Sequence, residues 1–385
     1  MNACTIIARN YLPHARVLAE SFLAYHPHGT FTALVIDDPG NGDLAGEPFA
    51  VLSPYDIGLE RDEVHRMAFI YDVKEFATSV KPALLAHLLK TADEVAYFDP
   101  DIEVFAALDD IGELARAHGI VLTPHTTTPL PRDELLPSEE MLLKAGIYNL
   151  GFIAVGQRAL PFLDWWGQRL RRDCLVAVED GVFVDQRWVD FVPALFEHVI
   201  ARDTTFNVAY WNLSYRELTR NGEGWEVDGR PLRFFHYSGF SPDRINLLSA
   251  HMGSTPRILL ADQPELRMLC DAYADSLRKH GFGAVADEGY RFDMLPNGLA
   301  IDGRVRRDVR QALLTAERAA EPAPPDPFDA TSVDGFLDWL GEPAASGSRP
   351  RQARATGGAG RSRGESLRRA PRSSIARPFG SMSKR

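Results

Sequence analysis

Hydrophobic residues near the N-terminus alternate between short apolar runs and segments with helical spacing. An apolar run at residues 5–8 is followed by helical spacing over 15–24, and a second apolar run covers 31–36. Strand, helix and strand within about 35 residues form a βαβ unit, which places two parallel strands in one sheet. The sequence Asp-Asp-Pro-Gly at 37–40 predicts a turn directly afterwards. The chain therefore begins as an α/β fold with a mainly parallel sheet.

The same alternation continues to about residue 255 and then changes. Further apolar runs predict strands at 94–98, 102–105, 119–123, 147–155 and 233–237. Helical spacing predicts helices at 59–90, 160–171 and 182–196, with a new helix opening at Pro82. Beyond residue 255 the pattern is helical at 264–279 and 305–320, then Pro-rich at 321–327 and amphipathic at 333–340.

These changes divide the chain into four predicted parts. They are an α/β part at 1–254, a helical extension at 255–320, a Pro-rich linker with a short amphipathic segment at 321–340, and a tail at 341–385. The tail is rich in Gly, Ser, Ala and Arg and has almost no large apolar residues. Because it cannot bury enough apolar surface to offset the entropy of ordering, we expect the tail to be disordered.

Charge is divided unevenly along the chain. The whole protein has a formal net charge of −11, but the tail has 11 basic and two acidic residues, so residues 1–340 carry a net −20. An acidic body argues against a nucleic-acid partner, because affinity for phosphates comes largely from contacts with cations. The basic tail could hold the protein weakly on an anionic membrane surface, or it could be a solvated end without a partner.

Cysteine usage and the N-terminal sequence suggest a cellular compartment. Cys4, Cys174 and Cys270 are far apart and form neither a disulfide framework nor a Cys-x-x-Cys metal pair. The N-terminus lacks the pattern of a secretory signal, and no apolar run approaches the roughly 18 residues that span a bilayer. We therefore expect a cytoplasmic protein.

Two carboxylates follow the apolar strand 94–98. Asp99 and Asp101 are separated by Pro100, and ligands of open α/β sheets gather at the carboxyl ends of the strands. Oxygen ligands of this kind suit a hard divalent cation, which can neutralise a leaving nucleoside diphosphate. Taken alone, the pair is equally well explained as two solvated acids in a turn.

In its wider context this motif resembles the nucleotide-sugar glycosyltransferases of the GT-A fold, most closely glycosyltransferase family 8. Four similar regions occur in the family's order within about residues 1–245: the strand and helix at 5–21, the Asp-x-Asp strand at 95–104, the segments 148–154 and 185–186, and His236-Tyr-Ser-Gly239. The resemblance implies a Rossmann-like fold with a mixed, mainly parallel sheet, flanking helices, a helical C-terminal extension and a disordered tail.

The resemblance also implies roles for individual residues. Asp99, Asp101 and His236 would bind Mn²⁺ or Mg²⁺, and the imidazole favours Mn²⁺. His236 could instead be a packed histidine beside two phenylalanines. The segment Ala8, Arg9 and Asn10 would line the base and ribose pocket, although it could equally be a helix-start loop with Asn10 as its cap.

The donor diphosphate and its sugar would meet a second set of residues. Lys81 matches a basic position that contacts the diphosphate or the sugar, although a lysine at a helix start is often solvated. Asn149, Asp185 and Gln186 would face the transferred sugar, with Asp185 and Gln186 as the candidate catalytic residues and Asn149 as a substrate-binding residue. The alternative for Asp185 is helix capping. One position departs from the family, because Pro242 stands where a phosphate-binding lysine is usual and the nearest cation is Arg244.

The implied reaction moves a sugar from a nucleoside-diphosphate sugar, with uridine as the family's usual base, to a hydroxyl group of a glycan, lipid or other acceptor. The resemblance favours retention of anomeric configuration; an inverting enzyme would need a general base, for which Asp185 is the candidate. Two other functions stay open at this point. One is a non-catalytic protein of the same fold that binds nucleotides or carbohydrates. The other is a phosphohydrolase of the haloacid dehalogenase type, which also has an Asp-x-Asp motif.

Overall fold

The computed structural model describes residues 1–38, 43–222, 224–284 and 289–341. Its helices are α1 (Leu12–Tyr25), α2 (Arg61–Ile70), α3 (Val73–Ser79), α4 (Lys81–Leu88), α5 (Asp109–His118), α6 (Glu139–Ala145), α7 (Leu160–Asp173), α8 (Gln186–Val189), α9 (Val192–Leu195), α10 (Pro264–Lys279), α11 (Gly303–Arg318) and α12 (Val333–Gly341). Its strands are β1 (Asn2–Ile7), β2 (Thr30–Val35), β3 (Ala50–Leu52), β4 (Glu94–Phe98), β5 (Ile102–Val104), β6 (Ile120–Pro124), β7 (Tyr148–Gly156), β8 (Val176–Ala177), β9 (Val182–Phe183), β10 (Val199–Ile200), β11 (Leu218–Asn221), β12 (Gly224–Val227), β13 (Arg230–Pro231) and β14 (Phe234–His236).

The central sheet contains seven of these strands in the order β3-β2-β1-β4-β7-β6-β10. All neighbouring pairs are parallel except the two that β7 makes with β4 and β6. Six strands therefore run in one direction and β7 runs in the other, which confirms the predicted mixed, mainly parallel sheet. The βαβ unit consists of β1, α1 and β2, with Asn2 opposite Thr30 and Ile7 opposite Val35.

Helices cover both faces of this sheet. On one face Phe69 of α2, Leu84 of α4 and Trp166 of α7 are buried in one apolar cluster with the strands. On the other face Phe22 of α1 and Ile111 of α5 pack in a second cluster. Strands that are covered on both sides have continuous apolar sequences, which is why the sequence signals of β1, β2, β4 and β7 are clear.

The predicted helix at 182–196 is wrong. These residues form the short strand β9 and the two four-residue helices α8 and α9. Val184 has a φ of 40°, a left-handed conformation that a β-branched residue rarely adopts and that interrupts a helix. Pro193, at the start of α9, cannot continue a preceding helix. The break at Val184 leaves Asp185 and Gln186 at the start of α8.

The helical region 59–90 is divided into α2, α3 and α4. Pro82 lies in the first turn of α4, where the sequence places the start of a new helix. A second boundary occurs at Asp72, whose side chain accepts a hydrogen bond from the Glu75 amide while the Glu75 carboxylate accepts one from the Asp72 amide. This reciprocal capping box starts α3.

The C-terminal segments pack against the same core as the sheet. Phe336 of α12 is 2% exposed, and its ring centroid lies 5.0 Å from that of Phe69. In the segment before α12, the Asp326 carboxylate lies 2.7 Å from the His65 imidazole. The four-part division of the chain stays a prediction. Residues 342–385 of the tail, and Pro39 and Gly40 of the predicted turn, lie outside the described residues.

Within the described residues, no helix has both the length and the apolar character needed to cross a membrane.

Candidate active site

A two-stranded antiparallel ribbon brings the Asp-x-Asp motif and His236 together. β5 directly follows Asp101 and β14 ends at His236, with Ile102 opposite His236. The Tyr237 amide also donates a hydrogen bond of 2.8 Å to the Asp101 carbonyl oxygen. The side chains meet as a result: His236 Nε2 lies 3.1 Å from Asp101 Oδ1 and 3.9 Å from Asp99 Oδ2.

These three side chains fit a divalent cation. One ligand atom from each lies within 4.8 Å of the others, at the carboxyl end of β4, where ligands of open α/β sheets gather. The Asp99 and Asp101 side chains are 31% and 26% exposed, whereas His236 is 3% exposed. The imidazole is thus held in the protein while the carboxylates face solvent. Two oxygen donors and one imidazole are a set that suits Mn²⁺ or Mg²⁺.

Asp101 and His236 stabilise each other's charged form, and Asp99 adds to the effect on His236. Burial opposes ionisation of Asp101, but the facing His236 imidazole outweighs it and lowers the pKa of that carboxyl group. Burial likewise favours neutral His236, yet the Asp101 and Asp99 carboxylates outweigh it and raise the pKa of the imidazole. A proton on His236 and a bound cation would therefore compete for the same carboxylates.

His236 is packed closely against Gly151 of β7. A Cβ atom at position 151 would lie 2.3 Å from His236 Cε1 and 2.7 Å from His236 Nδ1, distances that real Cβ atoms do not tolerate. The Trp211 ring meets the other side of the imidazole edge-on, with centroids 5.2 Å apart. Gly151 therefore provides the space in which the imidazole lies, and Trp211 limits how far it can turn.

Lys81 and Asp185 form a buried ion pair beside the cluster. Lys81 Nζ lies 2.6 Å from Asp185 Oδ2, and the two side chains are 1% and 2% exposed. Lys81 also donates to the Leu150 carbonyl oxygen at 2.8 Å and lies 4.1 Å from the centre of the Tyr97 ring. The Tyr97 hydroxyl in turn donates to Asp99 Oδ1 at 2.7 Å. Lys81 is thus not solvated, and together with Tyr97 it connects Asp185 to the Asp99 carboxylate.

The Asp185 carboxyl group does not cap α8, although it immediately precedes that helix. Burial raises its pKa, and the Lys81 ammonium group works in the opposite direction. The capping alternative for Asp185 is therefore wrong.

Asn149 and Gln186 belong to a buried network of amides. Asn149 Nδ2 donates to His125 Nε2 at 3.3 Å and to Gln186 Oε1 at 3.4 Å. Gln186 Oε1 also accepts from the Leu150 amide at 3.0 Å, and its Nε2 donates to the Ala145 carbonyl oxygen at 2.9 Å. That both side chains face a transferred sugar stays a prediction, and their polar atoms are hydrogen-bonded within the protein.

The segment Ala8, Arg9 and Asn10 lies where β1 ends, at the same edge of the sheet as the neighbouring parallel strand β4. The Arg9 amide donates to Asp37 Oδ1 at 2.9 Å, and its guanidinium lies 2.8 Å from Asp43 Oδ2. Asn10 does not cap α1, because that helix has no side-chain cap. The capping alternative for Asn10 is therefore wrong.

Arg244 lies on the short helical turn Pro242–Arg244 and is exposed. Within the part of the chain that the structure describes, its side chain makes no hydrogen bond or ion pair. The Pro242 carbonyl oxygen accepts from Arg278 at 2.9 Å, which anchors the turn to α10. Arg244 can therefore move toward a ligand without breaking an existing contact.

Sequence analysis does not identify four side chains at this site: Tyr11, Tyr97, His125 and Asn207. The ring of Tyr11 is 40% exposed and stacks on His14 with centroids 4.6 Å apart. A signal exists for Tyr97, because residues two apart in a strand face the same side and Tyr97 precedes Asp99 by two. His125 and Asn207 have no such signal, since both lie just outside regular elements.

Comparison with known proteins gives two relatives and no family. No protein-family model matches the chain. Its relatives are two proteins of Bacillus subtilis (strain 168), both named as uncharacterized. The chain is 26% identical to YfnF over 252 residues, which are 63% of this chain and 82% of YfnF. It is 27% identical to YfnD over 178 residues, which are 43% of this chain and 54% of YfnD.

Solved structures with a similar fold include three glycosyltransferases. The galactosyltransferase LgtC, in complex with donor and acceptor sugar analogs, has a TM-score of 0.42 and 15% identity over 72% of this chain and 96% of that chain. Mouse xyloside xylosyltransferase 1 has a TM-score of 0.37 and 12% identity over 61% and 97%. The glycosyltransferase GlyE of Streptococcus pneumoniae TIGR4 has a TM-score of 0.39 and 14% identity over 76% and 66%.

Proposed function

We propose that this protein is a metal-dependent glycosyltransferase of the GT-A class. In this proposal it transfers a sugar from a nucleoside-diphosphate sugar, with UDP as the expected carrier, to a hydroxyl group of a glycan, lipid or other acceptor. The observation that carries the proposal is the convergence of Asp99, Asp101 and His236 at the carboxyl end of β4. Asn149 is linked to His236 through Asn207, and Asp185 is linked to Asp99 through Lys81 and Tyr97.

Asp99, Asp101 and His236 would hold Mn²⁺ or Mg²⁺. The cation would neutralise the negative charge that develops on the diphosphate as it leaves. The body of the protein has a net charge of −20, and the usual phosphate-binding lysine is replaced by Pro242. Charge neutralisation would thus rest on the cation and on side chains such as Arg244, whose exposed guanidinium is available to a phosphate.

The nucleotide would lie across the carboxyl ends of β1 and β4. The Tyr11 ring is half exposed and already stacked on His14, so it offers a flat apolar surface to a base. Ala8, Arg9 and Asn10 would line the base and ribose. The buried amides of Asn149 and Gln186 would form the wall next to the transferred sugar. The Asp185 carboxylate would use its remaining hydrogen-bond acceptor sites for hydroxyl groups of that sugar.

The Lys81–Asp185 pair supports retention of anomeric configuration. A general base for inversion has to accept the acceptor's proton within hydrogen-bond distance. Asp185 is 2% exposed, and its charge is balanced by Lys81 Nζ at 2.6 Å. Asp185 is therefore poorly accessible to an acceptor hydroxyl, so we propose that the leaving phosphate assists the incoming hydroxyl.

A donor panel tests the proposal. Purified protein with Mn²⁺ is incubated with UDP-, GDP- and dTDP-sugars, and released nucleoside diphosphate is measured without an added acceptor. We expect slow hydrolysis of one donor, lost with EDTA and reduced about 100-fold or more in Asp101→Asn, because one charged metal ligand is removed. Asp275→Asn is the matched control, since Asp275 is exposed and pairs with Arg278 of its own helix.

The alternatives give different results in the same assay. A non-catalytic binding protein would show a metal-dependent rise in melting temperature with a nucleotide but no turnover of any donor. Release of inorganic phosphate from simple monoesters, without a need for a nucleotide, would replace the transferase with a phosphohydrolase. Equal hydrolysis by Asp101→Asn and wild type would contradict the metal site.

A further inference from the structure

Asn207 lies behind the metal cluster and is almost completely buried, at 1% exposure. It has a left-handed backbone with a φ of 49°, a conformation that asparagine adopts more readily than most residues. The backbone around it is held to β14, because the His236 amide donates to the Val208 carbonyl oxygen at 2.8 Å. The Asn207 side chain is thereby directed at the imidazole of His236.

The orientation of two amide groups can be deduced from backbone groups. The Gly151 amide donates to Asn149 Oδ1 at 3.2 Å, so the oxygen of Asn149 must lie on that side. The same oxygen contacts the Asn207 amide at 3.0 Å, and two oxygens would repel each other there. The contacting atom of Asn207 is therefore Nδ2, which also donates to Thr123 Oγ1 at 2.9 Å.

The other end of the Asn149 amide agrees with this assignment. Asn149 Nδ2 donates to His125 Nε2, which must then carry no proton. Burial lowers the pKa of His125 to about 4, which keeps that ring neutral. Its proton is on Nδ1, which lies 3.3 Å from the Ile147 carbonyl oxygen. The Gly151 amide at one end of the network and the Ile147 carbonyl oxygen at the other therefore give the same assignment of donors and acceptors.

The network ends at His236. Since Asn207 Nδ2 faces Asn149 and Thr123, Asn207 Oδ1 faces His236 Nδ1 at 3.3 Å and must accept a hydrogen bond from it. The Nδ1 atom then carries the proton, and Nε2 is the ring nitrogen that faces Asp99 and Asp101. Histidines that bind metals commonly have their second ring nitrogen held in this way.

We propose that Asn207 is a positioning residue of the metal site, which holds His236 with Nδ1 protonated and Nε2 available to the cation. The same amide joins His236 to Asn149, so the metal ligand and the wall of the sugar site are oriented together. This inference rests on the metal site of the proposed function. It adds a residue that the Asp-x-Asp and His-x-x-Gly motifs do not contain.

Two variants separate the role of the Asn207 oxygen from that of the whole side chain. Asn207→Asp keeps the oxygen that accepts from His236 Nδ1 but loses the donor to Asn149 and Thr123, whereas Asn207→Gly removes the side chain and tolerates the left-handed backbone. Asn221→Gly is the matched control, because Asn221 is exposed and its side chain donates to Glu226 in the β11–β12 hairpin. Circular dichroism and thermal unfolding establish that each variant is folded.

The first measurement is Mn²⁺ affinity, obtained from the loss of the free-ion EPR signal without any nucleotide. We expect Asn207→Gly to raise the Kd about 10- to 100-fold, the usual effect of removing such a partner. Asn207→Asp should raise the Kd less than Asn207→Gly does, because it keeps the acceptor for His236 Nδ1, and Asn221→Gly should remain within about 3-fold of wild type. A folded Asn207→Gly protein with wild-type Mn²⁺ affinity would overturn the proposal.

The second measurement reads the protonated nitrogen directly. Long-range ¹H–¹⁵N NMR of histidine-labelled protein with Mg²⁺, which is diamagnetic, should show a protonated Nδ1 in His236. A protonated Nε2 instead would overturn the proposal, and so would the absence of metal binding in wild type. Metal binding with Nδ1 protonated but no turnover of any nucleotide sugar would contradict only the proposed function.

Discussion

Gly151 shows how one missing side chain permits the cluster of Asp99, Asp101 and His236. Alanine at this position would place Cβ within 2.9 Å of Asn149 Oδ1 and closer still to the His236 ring, so the imidazole must move. We expect Gly151→Ala to lower Mn²⁺ affinity at least 10-fold, since ligand geometry is lost, and to destabilise the fold by about 1–3 kcal/mol through overpacking. Isothermal titration with Mn²⁺ and urea unfolding measure the two effects.

Gly167 of α7 supplies the control for this prediction. A Cβ there would meet Pro82 Cβ at 3.6 Å, an ordinary contact. Alanine in place of a glycine inside a helix stabilises by about 0.5–1 kcal/mol, so Gly167→Ala should leave Mn²⁺ binding unchanged and raise the melting temperature slightly. Unchanged Mn²⁺ affinity in Gly151→Ala as well would mean that the cation does not depend on the position of His236.

Residue types and spacing predict the proposed metal ligands of this site better than the buried residues that hold those ligands in place. Asp99, Asp101 and His236 belong to recognisable motifs, and the pairing of β5 with β14 brings them together. The buried partners are different, because one asparagine in an irregular segment looks like any other in the sequence. Asn207 contacts residues from β6, β7 and β14, and only the folded chain shows that these strands meet there.

At the scale of secondary-structure elements, a cluster of ion pairs joins helices α2, α7 and α11. Glu63 of α2 pairs with Arg171 and Arg172 of α7, and Arg172 lies 2.7 Å from Glu317 of α11. Burial opposes ionisation of Glu63, but hydrogen bonds from the two arginines outweigh it and lower its pKa to about 2. The helical extension is therefore held to the α/β part by charge as well as by apolar contact.

This cluster predicts a pH dependence of stability. Because the pKa of Glu63 is lower in the folded protein than in the unfolded chain, its contribution is present above about pH 4.5 and is lost as the pH falls toward 2. We expect Glu63→Gln to lower the free energy of unfolding by about 2–3 kcal/mol at pH 7 and by much less near pH 3. Urea unfolding at both pH values measures the difference.

The solvated Glu179, which is 82% exposed and paired with Lys144, provides the comparison for Glu63. Glu179→Gln should change stability by less than about 0.5 kcal/mol at either pH, because exposed ion pairs contribute little. An equal loss in Glu63→Gln at pH 7 and at pH 3 would show that packing, and not charge, holds the three helices.

At the scale of the whole molecule, residues 321–341 differ in composition from residues 342–385, which follow them. The segment 321–341 covers the core: Phe336 is 2% exposed, and the Phe328 ring lies 4.8 Å from that of Phe292. Residues 342–385 contain 11 basic and two acidic residues and almost no large apolar side chains. The net charge of −20 therefore lies on residues 1–341, which include the apolar segment 321–341.

Two truncations distinguish these segments. A chain that ends at Gly341 should keep its melting temperature within about 2 °C and its donor hydrolysis within about 2-fold, because the residues removed include almost no large apolar side chains. A chain that ends at Ala320 should lose about 3 kcal/mol or more of stability, since Phe328, Val333 and Phe336 leave apolar neighbours exposed. Differential scanning calorimetry and the donor assay compare the two proteins.

Loss of hydrolysis in the protein that ends at Gly341, at unchanged stability, would assign the basic tail a part in the reaction. Equal stability of both truncated proteins would show that the 321–341 segment is not part of the folded core.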